Sequence, residues 1–372
     1  MTMSTERPGE RRESGAAGRG GELFAAASER LRRVTPFDAA AWFGTDPTTV
    51  LPISPLRVEN IEPVHCEGYW RREYGSEDIL LFRDVARSRS GGGTLGLATG
   101  GFPGRSLRYR EFMRPQGYGD NLRAAFRIGE RTWGVVDLFR DSGRPPFTER
   151  DVRQVTAMGP ELALGLAELA IATTEDAPPT VTEAPGTALF DESGQIISLD
   201  THAERWLDEL TGPRWDRPQS PLPMATVQSV VARARSVAAG HDPGPAAARL
   251  RGGSGRWLVV HASCLRSPAG EPGPVAVVLE PANSAQIAPI IVEAYCLTPR
   301  EQQITQCVAR GLPTADIAAE LHLSAHTVRH HLKAIFAKFG VTSRGELVAK
   351  LFAEHYGPLM HAPDADLEHV YG

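Results

Sequence analysis

Three side chains that donate hydrogen bonds lie at helical spacing near the carboxyl end of the chain. Arg329, His330 and Lys333 belong to the run SAHTVRHHLKAIFAKF, which alternates basic and apolar residues. Arginine and lysine can donate to the O6 and N7 atoms of guanine, and a neutral imidazole can donate or accept. If a helix presents these three residues together, their chemistry suits the base edges and phosphates of a nucleic acid.

The spacing of the run predicts an amphipathic helix. An apolar stripe that repeats every three or four residues must pack on neighbouring helices, and it consists of Val328, Leu332, Ile335, Phe336 and Phe339. The other face carries His326, Arg329, His330, Lys333 and Ala337. A helix of about 15 residues is about 22 Å long, which is long enough to lie in the major groove of DNA.

Capping residues predict where the neighbouring helices begin and end. Thr298 and Glu301 can each bind the other's backbone amide, which starts a first helix, and Gly311 offers a left-handed stop. Thr314 and Ser324 are the predicted N-caps of a second and a third helix. The few residues between these two helices match the spacing of a helix-turn-helix.

A fourth helix is predicted after the amphipathic one. Gly340 ends the third helix, and Ser343 with Glu346 forms another capping box. From Leu297 to Phe352, the strings LTPRE, LxLSxxTVRxHLxxIFxKFGV and SRGELV occur in order. This segment resembles the LuxR-type (GerE-like) helix-turn-helix of bacterial transcription regulators.

The resemblance implies roles for particular residues. Residues 296–355 would form an all-α four-helix DNA-binding domain whose third helix is the recognition helix. Base-facing positions would be held by Arg329, His330 and Lys333. Positions that meet phosphates would be held by Ser324, Thr327 and Lys338. The dimer face of the fourth helix would consist of Leu347, Val348, Leu351 and Phe352.

Composition and charge limit the class of protein. The chain has 372 residues and a net charge of -5, yet residues 296–354 carry seven Lys or Arg against five Asp or Glu. All three lysines of the chain lie in this segment. No apolar run is long enough to cross a membrane, and four cysteines without a CxxC pair do not suggest a disulfide framework. These features predict a cytoplasmic protein that has no membrane partner.

The upstream chain divides into two predicted sensor-like units. Residues 1–20 are expected to be disordered, and residues 21–172 are expected to end as a β-hairpin and a closing helix, in the run RAAFRIGERTWGVVDLFR and the apolar-periodic stretch after it. This unit resembles a GAF domain and is predicted to be α+β. A Thr/Pro-rich linker, 173–184, precedes a second α+β unit over 185–282, which resembles a PAS domain. A connector, 283–295, leads to the helix-turn-helix, and 356–372 form a tail.

The multidomain fold predicts a non-enzymatic transcription regulator whose sensor units control a dimeric DNA-binding domain. Its expected partners are double-stranded DNA, a second copy of the chain, an unidentified small molecule and RNA polymerase. No cofactor is predicted. His326 and His330 have the spacing of zinc ligands, but no nearby acidic or cysteine residue completes a site.

Two other hypotheses remain. In the first, the chain is a ligand- or protein-binding module whose helix-turn-helix contacts a protein partner rather than DNA; the basic stripe taken alone is also compatible with a solvated helix face. In the second, residues 20–172 catalyse a reaction, although phosphate-loop and GxSxG motifs are absent from the sequence.

Overall fold

The computed structural model describes residues 16–61, 66–75, 77–172, 184–211 and 224–351. These residues form two units, each built on a five-stranded antiparallel sheet, and a helical unit at the carboxyl end. Mixed α/β sheets followed by a helical unit agree with the predicted fold class at this level. No helix within the described ranges has both the length and the hydropathy that a membrane span needs.

The first unit places a sheet between two groups of helices. In chain order its elements are α1 (Ala16–Val34), β1 (Ala39–Thr45), β2 (Pro52–Glu59), α2 (Cys66–Gly75), α3 (Phe82–Arg87), β3 (Gly92–Thr94), α4 (Leu95–Ala98), β4 (Tyr118–Ile128), β5 (Arg131–Asp141), α5 (Glu149–Ala157) and α6 (Gly159–Ile171). The strand order is β2-β1-β5-β4-β3. The predicted hairpin is confirmed, because β4 pairs with β5 across Gly129, which has a φ of 60°.

One face of this sheet packs on α1 and α6. Phe24 and Leu31 of α1 are fully buried in the same cluster as Trp42 and Leu166. The 3–4 spacing of apolar residues in ELFAAASERLRRV predicts that Val34 shares the buried face of α1, but Val34, the last residue of the helix, is 53% exposed. The predicted closing helix is divided into α5 and α6 at Met158, immediately before Gly159 and Pro160.

The other face of the sheet contains a buried charge cluster. The Arg123 guanidinium, 0% exposed, lies 2.5 Å from Glu73 Oε2 and donates from Nε to Asp137 Oδ2 at 2.9 Å. The Tyr69 hydroxyl donates to the same Asp137 oxygen at 2.8 Å. Burial raises the pKa of Tyr69 well above its usual value, so the hydroxyl keeps its proton. Arg108, which is 1% exposed, lies 3.9 Å from Glu73, so two buried cations face two buried carboxylates.

The second unit repeats the strand order of the first. Its elements are β6 (Gly186–Phe190), β7 (Ile196–Leu199), α7 (Thr201–Thr211), α8 (Ala225–Ala238), β8 (Ala247–Arg251), β9 (Trp257–Arg266) and β10 (Pro272–Pro281). The order β7-β6-β10-β9-β8 equals that of the first sheet when the strands are counted within each unit. The runs TALFDESGQIISLDTHAERWLDEL, RWLVVHASCL and PVAVVLEPA predict β6, β7, α7, β9 and β10 from the sequence, whereas α8 and β8 were not predicted.

The helical unit follows a connecting helix. The connector is α9 (Ser284–Ala294), and the unit consists of α10 (Pro299–Ala309), α11 (Thr314–Glu320), α12 (Ala325–Phe339) and α13 over 344–351. Ile290 and Ala294 of α9 belong to the core of the first unit. Ile287 and Ile291 belong instead to the core of the helical unit. The connector therefore joins two hydrophobic cores.

Ion pairs also connect the units. Arg249 on β8 donates to both carboxylate oxygens of Asp46 in the first unit, each at 2.8 Å, and to the Gln286 carbonyl of α9 at 3.2 Å. Arg131 of β5 lies 3.0 Å from Glu293 of α9. Burial raises the pKa of Glu293, and Arg131 opposes that effect. The first unit thus contacts both the second unit and the connector through charges.

We predict that Arg123→Ala lowers the free energy of unfolding of the first unit by about 3–5 kcal/mol, because it removes the guanidinium that contacts both buried carboxylates and leaves Glu73 with Arg108 alone, 3.9 Å away. Urea unfolding followed by tryptophan fluorescence measures this loss. The matched control is Arg153→Ala, which removes an arginine that is 71% exposed and pairs with Glu149 on α5. Its cost should stay below about 0.5 kcal/mol. Equal effects of the two substitutions would contradict the role given to the buried cluster.

Candidate nucleic-acid interface

Local capping sets the ends of the helices in the carboxyl-terminal unit. Thr298 Oγ1 accepts from the Glu301 amide at 3.3 Å, and Glu301 Oε2 accepts from the Thr298 amide at 2.7 Å, so the predicted capping box is confirmed. Ser324 Oγ accepts from the Thr327 amide at 3.0 Å at the start of α12. The prediction for Thr314 was wrong. Pro313 is the N-cap of α11, and Thr314 is its first helical residue.

The apolar face of α12 is fixed in the core of the unit. Val328 and Ile335 are 0% exposed, Phe339 is 1% exposed and Leu332 is 7% exposed. They share a cluster with Ile304 and other residues of α10, α11 and α13. Gly340 ends the helix with a φ of 63°, a conformation that costs glycine little. The rotation of α12 about its own axis is therefore determined by packing.

The opposite face of α12 is exposed. Arg329, His330 and Lys333 are all exposed, as are His326 and Ala337. No residue of the described ranges forms a hydrogen bond or an ion pair with the side chains of Arg329 or Lys333. Two permanent cations and an imidazole thus remain available on a surface at the predicted recognition positions.

The three residues expected to meet phosphates have different surroundings. Ser324 is exposed and Thr327 is half-buried, and their hydroxyl oxygens lie 2.8 Å apart. Lys338 is part of the fold, since its Nζ donates to Glu301 Oε2 at 2.6 Å and to the Cys296 carbonyl at 2.9 Å. An ammonium has three hydrogens, so one donor of Lys338 stays available to a phosphate.

Glu301 has two structural roles. It caps α10 through the Thr298 amide, and it holds the Lys338 ammonium at the end of α12. Burial acts to raise the pKa of Glu301, but the hydrogen bonds from Lys338 and Thr298 outweigh burial and hold this pKa below its usual value. The ionised carboxylate therefore connects the first helix of the unit to the third.

The residues expected to form a dimer face pack within the chain. Leu347 is 0% exposed, Leu351 is 5% exposed, and both belong to the core of the helical unit. Val348 is half-buried against the same core. Phe352 lies outside the described residues. Contact of α13 with a second copy of the chain stays a prediction, and among the three described residues Val348 has the most surface for it.

A contact with the connector was not anticipated from the sequence. The ring of Tyr295, which follows α9, stacks on Phe339 at a centroid distance of 3.9 Å. Lys350 Nζ of α13 lies 5.4 Å from the centre of the Tyr295 ring and donates to the Phe339 carbonyl at 2.8 Å. The apolar spacing of the segment IIVEAY, within residues 290–295, was the available signal for a packed helix. The end of α12 is thereby attached to the connector.

Residues 295–351 match the family described as GerE, bacterial regulatory proteins of the luxR family. The matched range contains all four helices of the carboxyl-terminal unit as far as the structure describes them. This unit is therefore a luxR-family helix-turn-helix domain, as its sequence predicted.

The similar proteins carry related descriptions. The chain is 44% identical over 52 residues to a putative HTH-type transcriptional regulator of Mycobacterium bovis. The aligned region covers 14% of this chain and 6% of that protein. The chain is 30% identical over 107 residues to the probable HTH-type transcriptional regulator GfsR of Streptomyces halstedii. The aligned region covers 28% of this chain and 44% of GfsR. The chain thus spans less than half the length of either relative.

A solved structure shows a likeness to part of the chain. It is that of a GAF domain/HD domain protein from Geobacter sulfurreducens, at 18% identity and a TM-score of 0.33, covering 44% of this chain and all of that one.

We predict that Glu301→Gln lowers the melting temperature at neutral pH and that this deficit shrinks in acid. The folded-state pKa of Glu301 lies below its unfolded value of 4.5, so the stabilisation is fully present above pH 4.5 and is lost as the pH falls through the lower, folded-state pKa. Thermal unfolding followed by circular dichroism from pH 7 downward measures the deficit.

The matched control for this prediction is Glu149→Gln, which changes a carboxylate that is 78% exposed on α5. Its melting temperature should stay close to that of the unaltered chain throughout. A deficit of Glu301→Gln that is constant with pH would contradict the assignment.

Proposed function

We propose that this protein is a sequence-specific DNA-binding transcription regulator in which two upstream units control the carboxyl-terminal helix-turn-helix. The observation that carries the proposal is the pair of exposed cations, Arg329 and Lys333, on the free face of a helix whose other face is buried. The match of residues 295–351 to the luxR family supports the same reading. The names of the two relatives reported above, both HTH-type transcriptional regulators, agree with it.

In this proposal α12 enters the major groove. Arg329 and Lys333 donate to purine edges, and His330 donates or accepts according to its protonation. Ser324 and Thr327, at the start of the helix, approach the phosphate backbone together with backbone amides. Because a reading head of this size contacts few base pairs, two copies would bind half-sites about one helical turn apart.

The upstream units are proposed to act through α9. A GAF-like first unit and a PAS-like second unit, which share one strand order, would receive a signal and change the position of the connector. Since α9 contributes side chains to the first unit's core and to the helix-turn-helix core, a shift of the connector would alter how two reading heads are spaced. RNA polymerase is the partner through which bound regulators would affect transcription.

An alternative is that the helix-turn-helix contacts a protein partner. An exposed basic face could equally meet an acidic protein surface. The two functions differ in whether the basic face distinguishes one duplex sequence from another. Only the DNA-binding function requires a preferred duplex sequence and a dependence of the binding constant on salt that follows the number of phosphates contacted.

We predict that the double substitution Arg329→Ala and Lys333→Ala reduces affinity for a preferred duplex at least about thirtyfold, at about 1–3 kcal/mol for each side chain. Selection of the intact protein on random duplex DNA supplies the preferred sequence, and gel shift measures the affinity. The matched control removes the same charge from α5 by Arg150→Ala and Arg153→Ala, both at exposed positions. Unchanged binding by the α12 variant would refute the proposed function.

We predict that Lys338→Gln makes the slope of the logarithm of the DNA association constant against the logarithm of the salt concentration less steep by about 0.9. This change is expected for the loss of one phosphate contact. Fluorescence anisotropy with a labelled duplex at several salt concentrations measures this slope. The matched control is Lys350→Gln, because Lys350 lies on α13 and is not among the residues expected to meet phosphates. If the slope is the same for Lys338→Gln and the unaltered chain, Lys338 only stabilises the fold through Glu301.

A further inference from the structure

The helical unit has more cations than its own carboxylates can pair. Residues 296–351 include seven Lys or Arg and four Asp or Glu. Three of these carboxylates already have partners within the unit, in the pairs Glu301–Lys338, Glu320–Arg310 and Glu346–Thr342. The fourth, Asp316, forms no ion pair with Arg329 or Lys333 in the described part of the chain. The exposed face of α12 therefore keeps an unbalanced positive charge.

The residues that follow have the opposite charge. Residues 352–372, which lie outside the described residues, are called the acidic segment. The segment has a formal charge of -4 with its histidines neutral, because it contains no Lys or Arg and four carboxylates, Glu354, Asp364, Asp366 and Glu368. Three of the four alternate along the chain, and alternation puts side chains on one side of an extended chain. The segment thus offers carboxylates that have no cation of their own.

The spacing of the two sets of charges agrees. Arg329 and Lys333 are four residues apart on one face of α12, which corresponds to a rise of about 6 Å. Two residues of an extended chain rise about 6.6–6.8 Å, so successive carboxylates of the alternating set repeat at nearly the same distance. An extended chain that lies along α12 can therefore bring one carboxylate to each cation.

The acidic segment is long enough to reach this face. Helix α13 ends near the carboxyl end of α12, because Lys350 Nζ donates to the Phe339 carbonyl at 2.8 Å. Lys333 precedes Phe339 by six residues and Arg329 precedes it by ten, or about 9 and 15 Å along the helix. The 12 residues of the segment that precede Asp364 can span about 40 Å when extended. The alternating carboxylates can thus be placed at either cation.

We infer that the acidic segment binds the exposed face of α12 in the same chain, with its alternating carboxylates at Arg329 and Lys333. Exposed ion pairs are weak, but a tether holds the two partners at a millimolar effective concentration. Only the regulatory consequence rests on the proposed function. Duplex DNA binds the fraction of chains in which the face is free, so its apparent affinity is reduced by that fraction. The acidic segment is thus a competitor of DNA.

Carbodiimide cross-linking of the full chain, in the absence of DNA, tests this contact. The reagent condenses a carboxylate with a lysine amine that lies against it, and the lysines of the chain are Lys333, Lys338 and Lys350. We expect mass spectrometry to identify Lys333 joined to a carboxylate of residues 364–368. The internal positive control is the product of Lys338 with Glu301, whose charged atoms are 2.6 Å apart.

Two further measurements locate the contact. Arg329→Ala leaves both reacting groups in place but removes one ion pair, so it should lower the yield of the Lys333 product, whereas Arg153→Ala on α5 should not. A mixture of isotope-labelled and unlabelled chains should give products of one label only. The control product without any Lys333 product would overturn the inference, as would Lys333 products that mix the two labels.

The effect on DNA is measured by gel shift with the selected duplex at low salt. The triple substitution Asp364→Asn, Asp366→Asn and Glu368→Gln should raise affinity about three- to tenfold. The matched control removes the same charge from exposed positions of the first unit, by Glu22→Gln, Glu29→Gln and Glu130→Gln, and should change affinity less than about twofold. Equal effects of the two triple substitutions would overturn the competition. If no duplex binds, the proposed function fails, and the cross-link still decides whether the segment binds α12.

Discussion

Burial of one face of α12 is the constraint on which the functional account depends. Four side chains of α12 pack against the other helices of the carboxyl-terminal unit: Val328, Leu332, Ile335 and Phe339. Truncating any of them to alanine would lower the free energy of unfolding by several kcal/mol. A helix that is held on one side cannot rotate to hide its other side. Arg329 and Lys333 are consequently kept at the surface.

The connector gives this unit a physical link to the rest of the chain. Successive residues of α9 point into different cores, with Ile290 and Ala294 in the first unit and Ile287 and Ile291 in the helix-turn-helix. Arg249 contacts both Asp46 and the connector, so the second unit is part of the same arrangement. Any change in how the two upstream units meet must therefore be accommodated by α9 or by the interfaces that it forms.

The local features of the fold could be predicted from the sequence, whereas its long-range contacts could not. The capping boxes at Thr298 and Thr148 and the left-handed stop at Gly340 depend on residues a few positions apart, and the structure contains all three. Thr314 is not the cap because Pro313 holds the N-cap position and Thr314 is already the first helical residue.

Contacts between distant residues carry no comparable signal. Lys338 and Glu301 are 37 positions apart, so the ion pair between them depends on how α10 and α12 pack. The same reason applies to the buried pair of Arg123 with Glu73, 50 positions apart, and to Arg249 with Asp46, 203 positions apart. Helix α8 was missed because four of its ten buried residues are polar, which breaks the 3–4 spacing of an apolar face; they are Thr226, Ser229, Arg233 and Ser236.

Site-specific photo-cross-linking tests the central claim most directly. A benzophenone amino acid is placed at His330 on the exposed face of α12 and, in a second chain, at the exposed position Leu97 of the first unit. The account predicts that, on a selected duplex, position 330 cross-links to a base within the preferred sequence and position 97 gives no cross-link. A bound complex in which position 330 gives none, or cross-links only outside that sequence, would contradict the placement of α12 in the groove.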